Sequence, residues 1–245
     1  MKYSILLLSL SLWIGKTQAQ DTLKTGSGPL IIQPIEHASL VLSTGGKTIY
    51  ADPNGAANFT SVASPDIILI TDIHGDHFDS TTLAAVAKPN TIFIVPKVVA
   101  DKMPNKDHVV ILPNGGTTKQ LGISISAIPM YNLPESPTAM HTKGRGNGYI
   151  LHIGGKNIYI SGDTQAIPEM RSLKNIDVAF VCMNLPYTMD VKEAASGVLA
   201  FKPKVVYPYH YRGKGGLSDV NEFKNLVNAG NPAIEVRLRN WYPKK

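Results

Sequence analysis

The chain has 245 residues, 43% of them hydrophobic, and a formal net charge of +6 from 24 Lys and Arg against 18 Asp and Glu. This apolar fraction excludes a largely disordered protein and supplies a core for one domain of ordinary size. The single cysteine, Cys182, excludes an internal disulfide and a cysteine-based zinc knuckle, and its apolar neighbours predict a buried, inert thiol. No run of basic residues indicates a nucleic-acid-binding stripe.

The N-terminal residues have the pattern of a secretory signal peptide. A basic start precedes an apolar stretch over residues 3–14, and Thr17 and Ala19 supply small residues at a signal-peptidase cleavage site. The stretch is too short to span a bilayer, and a buried N-terminal strand is the alternative interpretation. We therefore predict a signal peptide at residues 1–19, a single domain at residues 20–245, a periplasmic or secreted location and no stable membrane anchor.

Beyond the signal peptide, short apolar runs rich in Val and Ile alternate with Gly, Pro and Asn, as is typical of strands separated by turns. A run from Leu30 to Leu42, the pair Gly45-Gly46 and a run from Lys47 to Ala51 predict a β-hairpin. The continuous apolar run from Asp66 to Thr71 predicts a strand covered on both faces. Helices are predicted at residues 80–87, with Asp79 or Ser80 as N-cap, and at residues 191–201 and 218–228. Strand pairs mixed with strand–helix units predict an α/β layered fold.

Potential metal ligands follow the ends of five predicted strands. Because loops beyond the carboxyl ends of strands commonly build functional sites, these residues are expected to meet at one edge. They are Asp52, the segment Asp72 to His77, the pair Tyr131-Asn132 followed by His141, then Asp163 and His210.

The segment Asp72 to His77 holds four potential ligands within six residues. Imidazole and carboxylate are the ligands of Zn and similar first-row metals. Alternate spacing directs Asp72 and His74 toward one ion, while Asp76 and His77 turn toward a second. A surface turn rich in Asp and His is the alternative for this segment alone. With His141, Asp163 and His210 added, the sequence predicts two divalent metal ions, Zn foremost, with Mn or Fe as alternatives.

These motifs, in this order, resemble those of the metallo-β-lactamase superfamily: His74-Gly75-Asp76-His77, Gly162-Asp163-Thr164 and Tyr209-His210. Further motifs are similar to its compact branch of metal-dependent hydrolases, in the neighbourhood of the L-ascorbate 6-phosphate lactonases: Glu36-His37-Ala38-Ser39, Asp52-Pro53 and Tyr187-Thr188-Met189. The resemblance implies a single-domain, four-layer αββα sandwich with a two-metal site in a shallow cleft at one edge. It also implies hydrolysis of esters, lactones, amides or phosphodiesters.

Carried over to this chain, the resemblance assigns Asp72, His74 and His141 to the first ion. It assigns Asp76, His77 and His210 to the second ion, with Asp163 between the two. The chain departs from the superfamily pattern His-x-His-x-Asp-His, because Asp72 stands where the first His belongs. Asp is a competent ligand, but its harder oxygen donors favour Mn or Fe over Zn, or weaken the first site.

Other polar residues are expected at the mouth of the site. His37 is a candidate catalytic residue, with orientation of the metal ligands as the alternative role. Asp76 is a candidate proton shuttle, and Asp52 is expected to orient the metal ligands. Tyr131 and Asn132 are candidate substrate-binding residues or an ordinary strand end. Cationic side chains either bind an anionic substrate or are solvated surface charges: Arg145, Arg212 and Lys214. His108 and His152 are expected to lie outside the site.

The resemblance and the ligand set together predict an exported two-metal hydrolase. It would use a metal-activated water on a small, anionic ester, lactone or phosphodiester, with a small molecule rather than a nucleic acid as its partner. The alternative is a non-enzymatic metal-binding or scaffold protein of the same fold with a weakened first metal site. The sequence makes no prediction of the oligomeric state.

Overall fold

Two seven-stranded β-sheets form the centre of the protein in a computed structural model that describes residues 20–243. The predicted signal peptide at residues 1–19 lies outside the described residues. Within residues 20–243, no helix combines the length and the apolar character that crossing a membrane requires.

The first sheet has its strands in chain order: β1 (Asp21–Thr25), β2 (Gly28–Glu36), β3 (Ser39–Thr44), β4 (Lys47–Ala51), β5 (Ile67–Leu69), β6 (Ile92–Val95) and β7 (Val109–Ile111). Strands β1 to β4 are antiparallel, and β4 to β7 are parallel. This change of direction sends the carboxyl ends of β2, β4 and β5 to the same edge of the sheet.

The second sheet repeats this plan with β8 (Thr117–Gln120), β9 (Ile123–Met130), β10 (Gly146–Ile153), β11 (Lys156–Ile160), β12 (Val178–Cys182), β13 (Val205–Tyr209) and, at the far edge, β16 (Glu235–Val236). Strands β8 to β11 are antiparallel, and β11, β12, β13 and β16 are parallel. A short hairpin of β14 (Arg212–Gly213) and β15 (Gly216–Leu217) follows β13.

The helices are α1 (Ser80–Val86), α2 (Lys97–Lys102), α3 (Pro168–Arg171), α4 (Val191–Phe201) and α5 (Val220–Gly230), with a 3₁₀ helix at Ala56–Phe59.

The hydrophobic side chains form two cores, one on each face of the first sheet. Alternate residues of β5 belong to different cores, because successive side chains of a strand point to opposite faces. Ile68 packs in a core with Leu83 of α1 and Val99 of α2, whereas Ile67 and Leu69 belong to the larger core shared with the second sheet. Helix α4 covers the second sheet, with the ring of Phe201 at 5.9 Å from that of Tyr159. The predicted four-layer αββα sandwich is confirmed.

The predicted helices are confirmed, and one predicted strand is wrong. Helix α4 has the predicted bounds, Asp79 caps α1 by accepting a hydrogen bond from the Thr81 N–H, and α5 begins two residues later than predicted. The run from Leu30 to Leu42 is two strands, because the chain turns at His37, whose φ is 57°. Cys182 is buried as predicted, and burial raises the pKa of its thiol to about 12.

Candidate metal centre

The structure brings the seven predicted ligands together where strand ends of both sheets meet. The two sheets are joined there by backbone hydrogen bonds, from the His210 N–H to the His37 carbonyl at 3.1 Å and from the Asn147 N–H to the Thr71 carbonyl at 2.9 Å. Ligand-type atoms come together in three sets: Asp72, His74 and His141; His77, Asp163 and His210; and His37, Asp76 and His210. We call the first set the first group and Asp76, His77 and His210 the second group, and Asp163 contacts both groups.

Three residues that directly follow strands of this edge have left-handed backbones. The φ angles are 57° at His37, 44° at Asp52 and 47° at His210. Residues other than glycine rarely adopt this conformation, which costs on the order of 1–2 kcal/mol per residue. Such strain concentrates at functional sites, and here it turns each side chain from the strand into the cluster.

The second group has the spacing of a tetrahedral ligand shell. His210 Nε2 lies 3.1 Å from His77 Nε2 and 3.2 Å from Asp163 Oδ1, and His77 Nε2 lies 3.3 Å from Asp163 Oδ2. Ligands about 2.0–2.1 Å from a zinc ion in a tetrahedron lie about 3.3 Å apart. Asp76 supplies a fourth donor, with Oδ2 at 3.5 Å from His210 Nε2.

The first group is built around Asp72, which is fully buried. Its Oδ2 lies 2.8 Å from His74 Nδ1 and 3.9 Å from His141 Nε2. Asp163 Oδ2 lies 3.1 Å from the same His141 nitrogen, so this carboxylate contacts both groups. A carboxylate with two oxygens in this position can bridge two ions.

Two of the histidines are held so that Nε2 faces the cluster. His77 Nδ1 lies 2.8 Å from Asp52 Oδ2, and that carboxylate also accepts hydrogen bonds from the backbone N–H and the hydroxyl of Thr71. His141 Nδ1 lies 3.2 Å from Asn132 Oδ1, which also accepts the His141 backbone N–H at 2.8 Å. Histidines that bind metals characteristically donate their other ring N–H to such a partner.

Three buried polar atoms of the cluster lack a hydrogen bond. Among residues 20–243, His141 Nε2, Asp163 Oδ1 and His210 Nδ1 have no hydrogen-bond partner. A buried polar atom without a partner costs about 1–3 kcal/mol, so such atoms call for an explanation. All three belong to residues that converge on the same point, and the donor set is imidazole and carboxylate. The residues therefore fit divalent metal ions.

Electrostatics favours a cation at this point. Burial alone raises the pKa of Asp163, but His210 and His77 more than offset this effect, so the pKa lies well below its ordinary value and the carboxylate is charged. Burial lowers the pKa of His210 to about 3, so its imidazole is neutral at neutral pH and retains a lone pair for coordination. The pKa values of Asp72 and Asp76 also lie below their ordinary values, and only one guanidinium, that of Arg145, pairs with these three carboxylates within residues 20–243.

His37 contacts the second group from outside. The Tyr242 hydroxyl accepts the Arg212 backbone N–H at 3.0 Å and lies 2.7 Å from His37 Nδ1, so it holds one side of the His37 ring. On the other side of the ring, His37 Nε2 lies 3.2 Å from Asp76 Oδ2. His37 thus orients Asp76. Tyr242 was not predicted from the sequence, since no motif distinguishes this tyrosine from the others.

Four of the candidate substrate-binding residues differ in their surroundings. The Tyr131 hydroxyl donates to Glu169 of α3 at 2.8 Å, and Asn132 is engaged by His141. Arg145 forms a two-pronged ion pair with Asp72, so its guanidinium is not free at the mouth. Arg212 is exposed, lies 4.7 Å from the centre of the Tyr242 ring and forms no ion pair within residues 20–243.

Comparison with known proteins assigns the family. The model of the Beta-lactamase superfamily domain matches residues 31–210. The chain is 34% identical over 217 residues to the UPF0173 metal-dependent hydrolase of Pyrococcus abyssi, covering 83% of this chain and 93% of that protein. A crystal structure from Parabacteroides distasonis, described as a metal-dependent hydrolase, is similar with a TM-score of 0.83 and 39% identity, over 91% of this chain and 99% of that one. Igni18, a metallo hydrolase of Ignicoccus hospitalis, shares the fold with a TM-score of 0.72 and 23% identity, over 86% of this chain and 95% of that one.

The chain belongs to the β-lactamase superfamily, and its fold is the metallo-β-lactamase sandwich. Within that superfamily its relatives are the UPF0173 metal-dependent hydrolases, so this protein is a metal-dependent hydrolase of that fold. This assignment confirms the predicted family and favours an enzyme over the non-enzymatic alternative.

Proposed function

We propose that this protein is an exported hydrolase that binds two divalent metal ions side by side and cleaves small, anionic esters, lactones or phosphodiesters. One observation carries the proposal. Asp52 and Asn132 hold His77 and His141 with Nε2 toward Asp163, whose Oδ2 lies 3.3 Å and 3.1 Å from these two nitrogens. Zn is the preferred metal, with Mn or Fe as alternatives because of the oxygen donors of Asp72.

When bound, such ions lower the pKa of a coordinated water and polarise the carbonyl or phosphoryl oxygen of a substrate. The chain supplies a carboxylate to receive a proton. Asp76 is the most exposed acid of the cluster, with 42% of its side chain accessible, and His37 holds its Oδ2 in place. Burial raises the pKa of Asp76, but the contact with His37 and the neighbouring His77 more than offset this effect, so the pKa lies well below its ordinary value. Asp76 is therefore a charged carboxylate that can relay a proton from the attacking water to the leaving group without retaining it.

The surroundings of the cluster support a substrate with an anionic and an apolar part. The exposed guanidinium of Arg212 stacks on Tyr242, which contacts His37, so it is a cation available to an anionic group. Large apolar side chains are exposed on the loops next to the ligands: Leu133 and Met140 on either side of the loop before His141, Leu185 after β12, and Leu217 on β15. The expected substrate class is therefore an anionic ester, lactone or phosphodiester with a short apolar substituent.

Matched neutral and anionic substrates test this class. Residues 20–245, reloaded with Zn or Mn, are assayed on esters, lactones and phosphodiesters with and without a carboxylate or phosphate group. We expect Arg212→Ala to raise KM roughly 10-fold for anionic substrates, with little change for neutral ones, because a charged hydrogen bond to the substrate is lost. Lys119→Ala, which removes an exposed cation on β8, is the control. Equal effects on both substrate types would contradict an anion-binding role.

Export is tested separately by expressing the full chain in a bacterium. If residues 1–19 are a signal peptide, the protein recovered from the periplasm or medium begins at Gln20, as measured by intact mass and N-terminal sequencing. A full-length chain retained in the cytoplasm would contradict this part of the proposal.

A further inference from the structure

Arg145 and Asp72 form an ion pair at the first group that is held by two hydrogen bonds. Arg145 Nε donates to Asp72 Oδ1 at 3.1 Å, and Arg145 Nη2 donates to Asp72 Oδ2 at 2.8 Å. The Asp72 side chain is fully buried, and 21% of the Arg145 side chain is accessible. Two parallel hydrogen bonds between a guanidinium and a carboxylate are the strong, orientation-specific form of this interaction.

This pair stands where the superfamily motif has a histidine. A neutral imidazole and an Asp–Arg pair both carry zero net charge, so the pair preserves the charge of the replaced ligand. The pair does not leave its metal-binding oxygens as free for a metal ion as the nitrogen of a histidine would be. Both oxygens of Asp72 already accept hydrogen bonds from Arg145, and Oδ2 also lies 2.8 Å from His74 Nδ1.

Within residues 20–243, no Lys or Arg side chain forms an ion pair with a carboxylate of the second group. The partner of Asp76 is the imidazole of His37, which makes a single contact of 3.2 Å with Oδ2, and 42% of the Asp76 side chain is accessible. Behind His77, the buried carboxylate of Asp52 lies 2.8 Å from Nδ1 and holds the ring with Nε2 toward the cluster. A cation at the second group therefore meets only carboxylates and imidazoles, whereas a cation at the first group shares its carboxylate with a guanidinium.

We infer that Arg145 makes the two metal positions unequal, since it competes with a metal ion for Asp72 at the first position. The second position then binds an ion first and more tightly. The inference rests on the proposed binding of two ions. It assigns Arg145 to setting metal affinity, in place of the substrate-binding role expected from the sequence.

The direction in which an Arg145 variant changes metal affinity distinguishes a residue that competes with the metal ion from one that only orients Asp72. Loss of a residue that orients a metal ligand lowers metal affinity, typically about 10–100-fold. Loss of a competing cation raises affinity. We therefore expect Arg145→Gln to tighten binding at the first position about 10-fold or more, with little change at the second, while Arg145→Lys keeps the cation and stays close to wild type.

The measurement is a titration of metal-free protein with Zn²⁺ and with Mn²⁺ against a chromophoric chelator, with folding checked by circular dichroism. Wild type is expected to bind one equivalent tightly and a second at least about 10-fold more weakly. His210→Ala identifies the tight equivalent by removing it, and Lys119→Ala is the control for a lost surface charge. The double variant Asp72→His/Arg145→Gln replaces the Asp–Arg pair by two neutral side chains, so it leaves no unpaired Asp72 that could cause misfolding. It should bind two equivalents of metal with similar affinity.

Two results would overturn the inference and are distinguishable from failure of the proposed function. Two equal, tight equivalents in wild type, unchanged in folded Arg145→Gln, would contradict the inference alone. Weaker first-position binding in both Arg145→Gln and the double variant would also contradict it, since Arg145 would then assist the ion. Wild-type protein that binds no ion at either position would contradict the proposed function as well.

Discussion

His210→Ala is expected to remove the tightly bound metal ion and with it the hydrolytic activity. His210 Nε2 lies within 3.1–3.5 Å of donor atoms of His77, Asp163 and Asp76, so its loss opens the shell of the second position. Residues that only orient metal ligands contribute about 10–100-fold to affinity, and a ligand is expected to contribute more than about 100-fold. His77→Ala should have the same effect for the same reason.

Elemental analysis after dialysis and a chelator titration measure the loss of metal, independently of any substrate. The matched control is His152→Ala, because His152 is exposed on β10 and pairs with Asn157 outside the cluster. The control should bind metal and unfold as wild type does. If His210→Ala retained the full metal content at the wild-type affinity, His210 would not be a ligand.

Asp52→Ala is expected to lower both metal affinity and stability. Asp52 is fully buried, and its carboxylate accepts from the backbone and hydroxyl of Thr71 and from Nδ1 of His77. Without it the His77 ring loses its orientation, which should reduce metal affinity about 10–100-fold. Removal of one partner of a buried charged pair costs roughly 3–5 kcal/mol, so the free energy of unfolding should fall by about that amount.

Urea unfolding of the metal-free protein and a metal titration measure the two effects separately. Asp101→Asn is the control, since this exposed carboxylate pairs with Lys97 on the surface of α2 and should change neither measurement appreciably. Normal stability in Asp52→Ala would mean that Thr71 and His77 find other partners. Normal metal affinity would mean that His77 does not need Asp52 for its orientation.

Local patterns were sufficient to predict an α/β layered fold and ligand-type residues at the strand ends, whereas the αββα sandwich and the assignment of ligands to two ions followed from the resemblance to the metallo-β-lactamase superfamily. Continuous apolar runs such as Ile67 to Ile70 are typical of strands covered on both faces. The end of such a run marks the end of a strand, so the polar residues that follow it are expected at the edge of the sheet. Parallel strands then bring their carboxyl ends to one edge, so Asp72, Asp163 and His210 converge although they are distant in the sequence. The metal-ligand chemistry of Asp and His could therefore be recognised before the structure was known.

Only the tertiary structure decided which of these side chains are free to act. Asp72 and Arg145 are 73 residues apart and His37 and Tyr242 are 205 apart, and no periodicity relates such pairs. The strand predicted across His37 is interrupted because the His37 backbone bonds to residues outside β2 and β3. The His37 carbonyl accepts a hydrogen bond from the His210 N–H, and the His37 N–H donates to the Trp241 carbonyl. Hydrophobic periodicity reports burial within one element, whereas hydrogen bonds and ion pairs between elements depend on distances of a few ångströms that only the packed chain defines.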